Sequence, residues 1–142
     1  MGEGLLFGEE AFTTMQHPHN LSSSSVLPHH RLVVYRKALE LLAAVRAAQI
    51  ADAKLRDEAL RAAKGVCLNG PSTTPRRRIA EGSGRVSRAD KARVYAIARG
   101  ECVECVAAVE IAVAAGDALE APARIAVQCG TEVYLMLGAL LR

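Results

Sequence analysis

The chain has 142 residues, 51% of them hydrophobic, with two Phe, three Tyr and no Trp. Leu, Ala and Val dominate, which favours an Ala-rich helical domain with one core and argues against a sheet protein, since sheets need more β-branched and aromatic residues. The net charge of +3 is unevenly spread, because residues 76–99 carry eight basic and two acidic residues, or +6, and the rest carries −3. Such a local basic field attracts phosphate or an acidic partner.

The first 30 residues predict a disordered tail, because glycines, histidines and a serine run interrupt any periodic pattern. All four histidines fall here (His17, His19, His29 and His30), and without neighbouring acids or cysteines we interpret them as solvated rather than metal-binding. The chain shows neither the basic start and apolar run of a signal peptide nor an apolar run of transmembrane length. We expect a cytoplasmic protein with reduced thiols.

Residues 31–142 predict an all-α, antiparallel up-down-up-down four-helix bundle. We expect helix 1 over about residues 31–52, helix 2 over about 55–68, helix 3 over about 87–115, and helix 4 over about 121–141 with Pro122 at its first position. Between helices 2 and 3, two prolines and a glycine in residues 70–78 cannot continue a regular helix. They predict an exposed inserted loop with three arginines, followed by a short helical piece over about 77–81.

Apolar residues recur at spacings of three and four in each predicted helix, which defines the faces expected to point inward. These faces are Leu32, Tyr35, Leu39, Leu42 and Val45 in helix 1; Leu55, Ala59, Ala62, Ala63 and Val66 in helix 2; Tyr95, Ala98, Cys102, Cys105, Val109 and Ala112 in helix 3; and Ile125, Cys129, Val133, Met136 and Leu140 in helix 4. Helix 3 is apolar on further sides as well, so we expect a subunit contact to cover part of it.

The segment Ile79-Ala80-Glu81-Gly82-Ser83-Gly84-Arg85 predicts a tight corner between two helices. Gly82 or Gly84 can take the left-handed conformation that ends a helix, and Ser87 with Asp90 three residues later predicts the N-cap of helix 3. The two glycines could also cradle a phosphate at that N-terminus. A P-loop needs a preceding strand and a following Lys-Ser/Thr, which are missing, so the helix stop is the favoured interpretation.

The cysteines raise the question of a metal site, because Cys102 and Cys105 have the spacing of half a zinc site. Cys129, with Cys67 or Glu104, would have to complete it. Cys102 and Cys105 lie in the middle of a helix on the predicted core seam, so we interpret them as small apolar residues without a redox role.

The acidic residues of helix 3 do not predict a di-metal centre, which needs Glu-x-x-His motifs, because the predicted bundle contains no histidine. We expect Glu104 to form a salt bridge with Arg99 or Arg61. The sequence therefore predicts no catalytic residue, no metal and no cofactor.

Several stretches resemble the small bacterial four-helix-bundle proteins encoded in intervening sequences of 23S ribosomal RNA genes. They are residues 32–41, with Tyr35 where that family usually has Trp; residues 60–69; the corner from Ile79 to Arg85; and Ile97-Ala98-Arg99-Gly100 with Glu104. The resemblance covers about residues 31–142. This chain departs from the family pattern by the insertion of residues 70–78 and by Lys91, which stands where relatives usually have an aromatic or aliphatic residue.

The resemblance implies a left-handed up-down four-helix bundle, commonly a homopentamer, without known enzymatic activity. It also implies a link to nucleic acid, because a similar bundle is the accessory subunit of diversity-generating retroelements and works there with a reverse transcriptase and RNA.

The favoured function is a non-enzymatic homo-oligomer that binds the RNA or DNA backbone through an arginine-rich corner. Clustered cations neutralise phosphates without reading sequence, and the few aromatics disfavour base stacking. The alternative is a protein-interaction scaffold, with a reverse transcriptase or another protein as partner, in which the charges are incidental. The residues predicted to contact nucleic acid are Arg76, Arg77, Arg78, Arg85, Arg88, Lys91 and Arg93.

Overall fold

The protein is an all-α four-helix bundle in the computed structural model, which describes residues 32–67 and 87–142. Its helices are α1 (Val33–Ala47), α2 (Ala53–Cys67), α3 (Arg88–Ala114) and α4 (Glu120–Leu140). The main packing pairs are α1 with α2, α2 with α3, α3 with α4, and α4 with α1, so the helices form a square. This confirms the predicted architecture. The predicted tail, the inserted loop at 70–78 and the helical piece at 77–81 lie outside the described residues.

Helix α1 is shorter than predicted, because it ends at Ala47 rather than near residue 52. Gln49 turns the chain with a φ of 47°, and Ile50 then enters the core, where it is only 3% exposed. The Asp52 carboxylate accepts a hydrogen bond from the Leu55 amide at 2.7 Å, so Asp52 caps the start of α2. The segment lacks the glycine or proline that usually marks a helix end, which is why the prediction ran too far.

The ends of α3 agree with the sequence. The Ser87 hydroxyl accepts a hydrogen bond from the Asp90 amide at 3.4 Å, as expected of the N-cap. At the other end Gly116 has a φ of 77°, and the Asp117 amide reaches back to the Ala112 carbonyl at 2.8 Å. That hydrogen bond gives a partner to one of the last carbonyls of the helix, which have none within the helix itself. The chain turns sharply toward α4 at this point.

The two short connections of the bundle are hydrogen-bonded to each other. The Leu119 amide donates to the Ala48 carbonyl at 2.8 Å, and the Ala51 amide donates to the Asp117 carbonyl at 2.7 Å. We call this side of the bundle the closed end. At the opposite side, the open end, α1 and α3 begin and α2 and α4 finish.

The inward faces of α2 and α3 are as predicted, except that Leu55 is only half-buried. For α1 and α4 the prediction is wrong in part, because Leu39, Ile125 and Leu140 are 42%, 48% and 43% exposed. Val45, Cys129 and Val133 are buried as predicted, and these helices also bury Val34, Ala38, Leu41, Ala44, Ala123, Ala126, Gly130 and Leu137.

The physical reason for that shift is that the seams of α1 and α4 mix large side chains, such as Leu41 and Leu137, with alanines and Gly130. Alanine and glycine let neighbouring helices approach closely, since the distance between axes depends on the side chains at the contact. Leu42 and Met136 flank the seam and are half-buried against the core. The small members of the seam carry little hydrophobic signal, so the sequence pattern also fits residues beside it.

Candidate nucleic-acid interface

The open end brings basic residues of several helices to one side of the bundle. The Lys37 ammonium in the first turns of α1 pairs with Glu132 of α4 at 2.9 Å, and the Arg88 guanidinium at the start of α3 donates to the Arg142 carbonyl at 2.5 Å. The beginnings of α1 and α3 therefore both lie beside the last turns of α4.

Helix α3 projects past the described part of α2 at the open end. Its 27 residues are about 40 Å long, whereas the 15 residues of α2 are about 22 Å long. Gly65, near the end of α2, faces Glu101, since a Cβ at this glycine would lie 2.9 Å from Glu101 Cδ. The first ten or so residues of α3, about 15 Å of helix, therefore extend beyond that level.

Three of the predicted nucleic-acid contacts lie on this projecting part of α3. Arg88 and Arg93 are exposed and Lys91 is half-buried. Neither Lys91 nor Arg93 forms an ion pair with any residue of the ranges 32–67 and 87–142. Within those ranges no carboxylate neutralises their charges, which is a property that a phosphate-binding surface needs.

Sequence reasoning missed two further cations at the open end. Arg36 lies exposed in the first turn of α1, and Lys64 lies exposed in the last turn of α2. They are distant from residues 76–93 in sequence, so a count of charges along the chain does not find them. The predicted antiparallel topology was the available signal, because it places the start of helix 1 and the end of helix 2 at the same side.

The other predicted contacts, Arg76, Arg77, Arg78 and Arg85, lie outside the described residues. So does most of the family-like corner, namely Ile79, Ala80, Glu81, Gly82 and Gly84. Their convergence with Arg88 and Lys91 around one corner stays a prediction. What the structure does show is that α2 ends and α3 begins on the side where the basic residues of α3 lie.

The remaining residues of the family-like motif have structural positions. Ala98 is fully buried, and Gly100 faces open space with nothing within 4 Å of a Cβ placed there. The Arg99 guanidinium lies over the Tyr134 ring of α4, 3.9 Å from its centroid, while its Nε is buried without a hydrogen-bond partner. Stacking of this kind holds a cation against an aromatic face and fixes α3 against α4.

Glu104 pairs with Arg61 rather than with Arg99, which settles the two partners that the sequence left open. The Arg61 guanidinium contacts Glu104 at 2.7 Å, Glu101 at 3.2 Å and Glu58 at 2.5 Å. The hydrogen bonds that Arg61 donates to Glu58 and Glu104 raise the pKa of Arg61 above its ordinary value. Because Glu101 is only 5% exposed, this cluster anchors the register between α2 and α3.

The four cysteines are free and buried. Burial raises the pKa of Cys67 and Cys105 to about 12 and that of Cys102 to about 11, so their thiols are protonated at neutral pH. The Cys102 thiol donates to the Gly130 carbonyl at 3.0 Å. Metal binding and nucleophilic attack both need the thiolate, which these surroundings disfavour.

Within the described ranges, no three His, Cys, Asp or Glu side chains are grouped so that they could hold a metal ion. None of the helices in those ranges combines the length and the apolar character that a bilayer span requires.

Comparison with known proteins gives no further guide to function. No protein-family model matches the sequence. No curated protein is significantly similar to it either. The resemblance to the intervening-sequence bundle proteins therefore stays a prediction that depends on the motif residues alone.

Proposed function

We propose that this chain is a non-enzymatic, homo-oligomeric helical bundle that binds the RNA or DNA backbone through the arginine-rich corner at residues 76–93. The observation that carries the proposal is that Lys91 and Arg93 lie without an ion pair in the described region, in the first turns of α3 at the open end. Each phosphate neutralised by such a side chain releases counterions, which favours binding and makes it sensitive to salt.

The tyrosines, which all lie in the described ranges, support recognition of the backbone rather than of bases. Tyr95 is only 5% exposed, Tyr35 packs against the core, and Tyr134 already has the Arg99 guanidinium on its ring. Base stacking needs exposed aromatic faces, and these three rings do not offer them. We therefore expect binding that tolerates many sequences.

Self-association is supported by apolar side chains that the protomer leaves exposed on α3. Val103 and Ile111 are 53% and 55% exposed, and Val113 is 36% exposed. The resemblance implies a pentamer, and a ring would multiply the basic surface. The buried thiols fit a reducing, cytoplasmic location.

The test compares two double variants that each remove two positive charges. Arg88→Ala with Lys91→Ala removes cations at the open end, whereas Arg46→Ala with Lys54→Ala removes exposed cations without an ion pair in the described residues at the closed end. Binding of a structured RNA and a DNA duplex is measured by fluorescence anisotropy. The proposal expects the first variant to bind more weakly than wild type and the second to bind as wild type does.

Equal losses in both variants would show that binding follows net charge, and the proposed interface would then be wrong. The alternative function, a protein-interaction scaffold, is supported by the exposed apolar side chains of α3. It expects wild type to bind neither nucleic acid above background at physiological salt and to remain a defined oligomer.

A further inference from the structure

The solvent face of α3 carries a second regular row of residues, opposite the buried seam. We call it the outer row. Its members follow one another at alternating spacings of four and three over the whole helix, and all of them are exposed: Ala89, Arg93, Ala96, Gly100, Val103, Ala107, Glu110 and Ala114. Every face of an α-helix repeats in this way, and what distinguishes the outer row is that six of its eight members are Ala, Gly or Val.

The outer row suits a close helix–helix contact because its side chains are small. Apart from Arg93 and Glu110, it consists of four alanines, Gly100 and Val103. A shallow groove of about 220 Å³ runs beside it, between α3 and α4, and is lined mainly by apolar atoms of Val103, Val106 and Tyr134. Side chains of a partner helix can enter that groove while the two backbones approach closely.

The two charged residues of the outer row identify the partner. Arg93 and Glu110 have no ion pair within the described residues. They lie at equal distances from the midpoint between Gly100 and Val103, and so do Ala96 with Ala107, and Ala89 with Ala114. If a second α3 packs antiparallel about that midpoint, each Arg93 meets the Glu110 of the other copy. A parallel pair would instead place like charges together, which is unfavourable.

We propose that two copies of this chain pack antiparallel through the outer row, around a two-fold axis between Gly100 and Val103. Such a contact uses the same surface on both copies and closes on itself, so it gives a dimer, or pairs of rings if a cyclic contact also forms. It does not depend on nucleic-acid binding. In the pair, the two open ends point away from each other, and Arg88 and Lys91 stay free of the contact.

Cysteine cross-linking tests the geometry of this contact. Ala96 and Ala107 are eleven residues apart on one helix, which is about 16 Å and too far for a disulfide within a chain. In the antiparallel pair they face each other. The double variant Ala96→Cys with Ala107→Cys should therefore form a covalent dimer under mild oxidation, seen on non-reducing gels. Wild type, whose four native cysteines are buried, gives the background level of covalent dimer.

The single variant Ala96→Cys is the control for direction. Its new thiols lie about 16 Å apart in the antiparallel pair but adjacent in a parallel pair. The proposal expects no covalent dimer from this variant. A covalent dimer from the single variant, or none from the double variant, would overturn it.

Charge reversal tests the pairing without new thiols. In sedimentation equilibrium, Arg93→Glu and Glu110→Arg should each weaken self-association by about tenfold, because two attractive pairs become repulsive by symmetry. Carrying both reversals in one chain restores opposite charges and should restore the wild-type dissociation constant. A monomeric wild type, or a pentamer that neither single reversal affects, would overturn the proposal.

Discussion

Arg61 joins three carboxylates, and one of them, Glu101, is almost fully buried. Arg61→Met keeps the aliphatic stem but removes the guanidinium that contacts Glu101 at 3.2 Å. Because a buried carboxylate loses part of its hydrogen bonding, we expect the free energy of unfolding in urea to fall by about 1–3 kcal/mol.

The matched control is Arg124→Met, which removes an ion pair with Glu120 whose partners are 77% and 63% exposed. Exposed pairs contribute little, so this variant should lose less than about 0.5 kcal/mol. Equal losses in both variants would show that the Arg61 cluster does not stabilise the contact between α2 and α3.

The buried thiols predict a loss of stability at alkaline pH. Burial raises the pKa of Cys67, Cys102 and Cys105 in the folded protein. A thiol in the unfolded chain has a pKa of about 8.5. Below that pH the thiols are protonated in both the folded and the unfolded state, and the stability is at its full value. Above it the unfolded chain binds fewer protons than the folded protein, so the free energy of unfolding decreases as pH rises. We expect about 1–2 kcal/mol per thiol to be lost by pH 10, measured by urea unfolding.

A variant with Cys67, Cys102 and Cys105 all changed to Ala removes the titrating groups. It should be less stable at neutral pH because it leaves cavities, but its stability should change much less between pH 7.5 and 10. If the free energy of unfolding fell equally with pH in this variant and in wild type, the loss of stability at alkaline pH would not come from these three thiols.

At the residue scale, the sequence predicted that Glu104 forms a salt bridge but not that Glu101 is the buried member of the cluster. Helical spacing places both residues near α2, and only packing decides which of them enters the interface. Gly65 leaves the space that the Glu101 side chain fills, since a Cβ there would lie 2.9 Å from its carboxylate. A glycine within a helical pattern was thus the available signal.

At the element scale, the closest approach of α3 and α4 depends on Gly130. A Cβ at this position would overlap with the Val106 side chain, so in Gly130→Ala either that side chain must change its rotamer or the two helices must separate. We expect a loss of about 1–3 kcal/mol in the free energy of unfolding, despite the higher helix propensity of alanine.

Gly138→Ala in the same helix is the matched control. Its nearest neighbour would be the Arg99 guanidinium at 3.6 Å, an ordinary contact. This variant should be neutral or slightly more stable than wild type, because alanine favours the helix. A similar loss in both glycine variants would contradict the role of Gly130 as the contact point.

The helices were predictable from sequence more reliably than the faces of α1 and α4. The seam of α3 follows a regular four-three pattern that includes Tyr95, Cys102 and Val109, and all three are buried as predicted. In α4 the seam runs through Ala126 and Gly130, which carry little hydrophobic signal, so the apolar periodicity pointed to the exposed Ile125. Close packing of small residues is a tertiary effect that hydrophobic periodicity registers only weakly.

At the scale of the whole molecule, the bundle separates two kinds of surface. Its closed end is held by hydrogen bonds between the two short connections, and its open end carries Arg36, Lys64, Arg88 and Lys91. The sequence predicted the basic cluster within residues 76–93, because those charges are close along the chain. Arg36 is far from these residues along the chain, so only the three-dimensional arrangement shows that it lies at the same end of the bundle.

The two proposals share Arg93, and they are tested separately through residues that only one of them uses, Lys91 for backbone binding and Glu110 for the antiparallel contact. Backbone binding depends on the open end, whereas the antiparallel contact depends on the outer row of α3. An antiparallel pair has its two basic ends far apart, so one dimer could hold two nucleic-acid segments. Loss of dimerisation through Glu110→Arg should weaken bivalent binding to long RNA more than binding of one short duplex.

The most direct test of the central claim is the salt dependence of nucleic-acid binding. Dissociation constants for a DNA duplex are measured from low to physiological salt for wild type and for a variant with Arg76, Arg77 and Arg78 all changed to Ala. Backbone binding through the arginine-rich corner predicts a steep loss of affinity with salt for wild type, and a slope that is shallower in the variant by about 0.9 for each phosphate contact removed. No binding above background at physiological salt, or identical slopes for the two proteins, would contradict it.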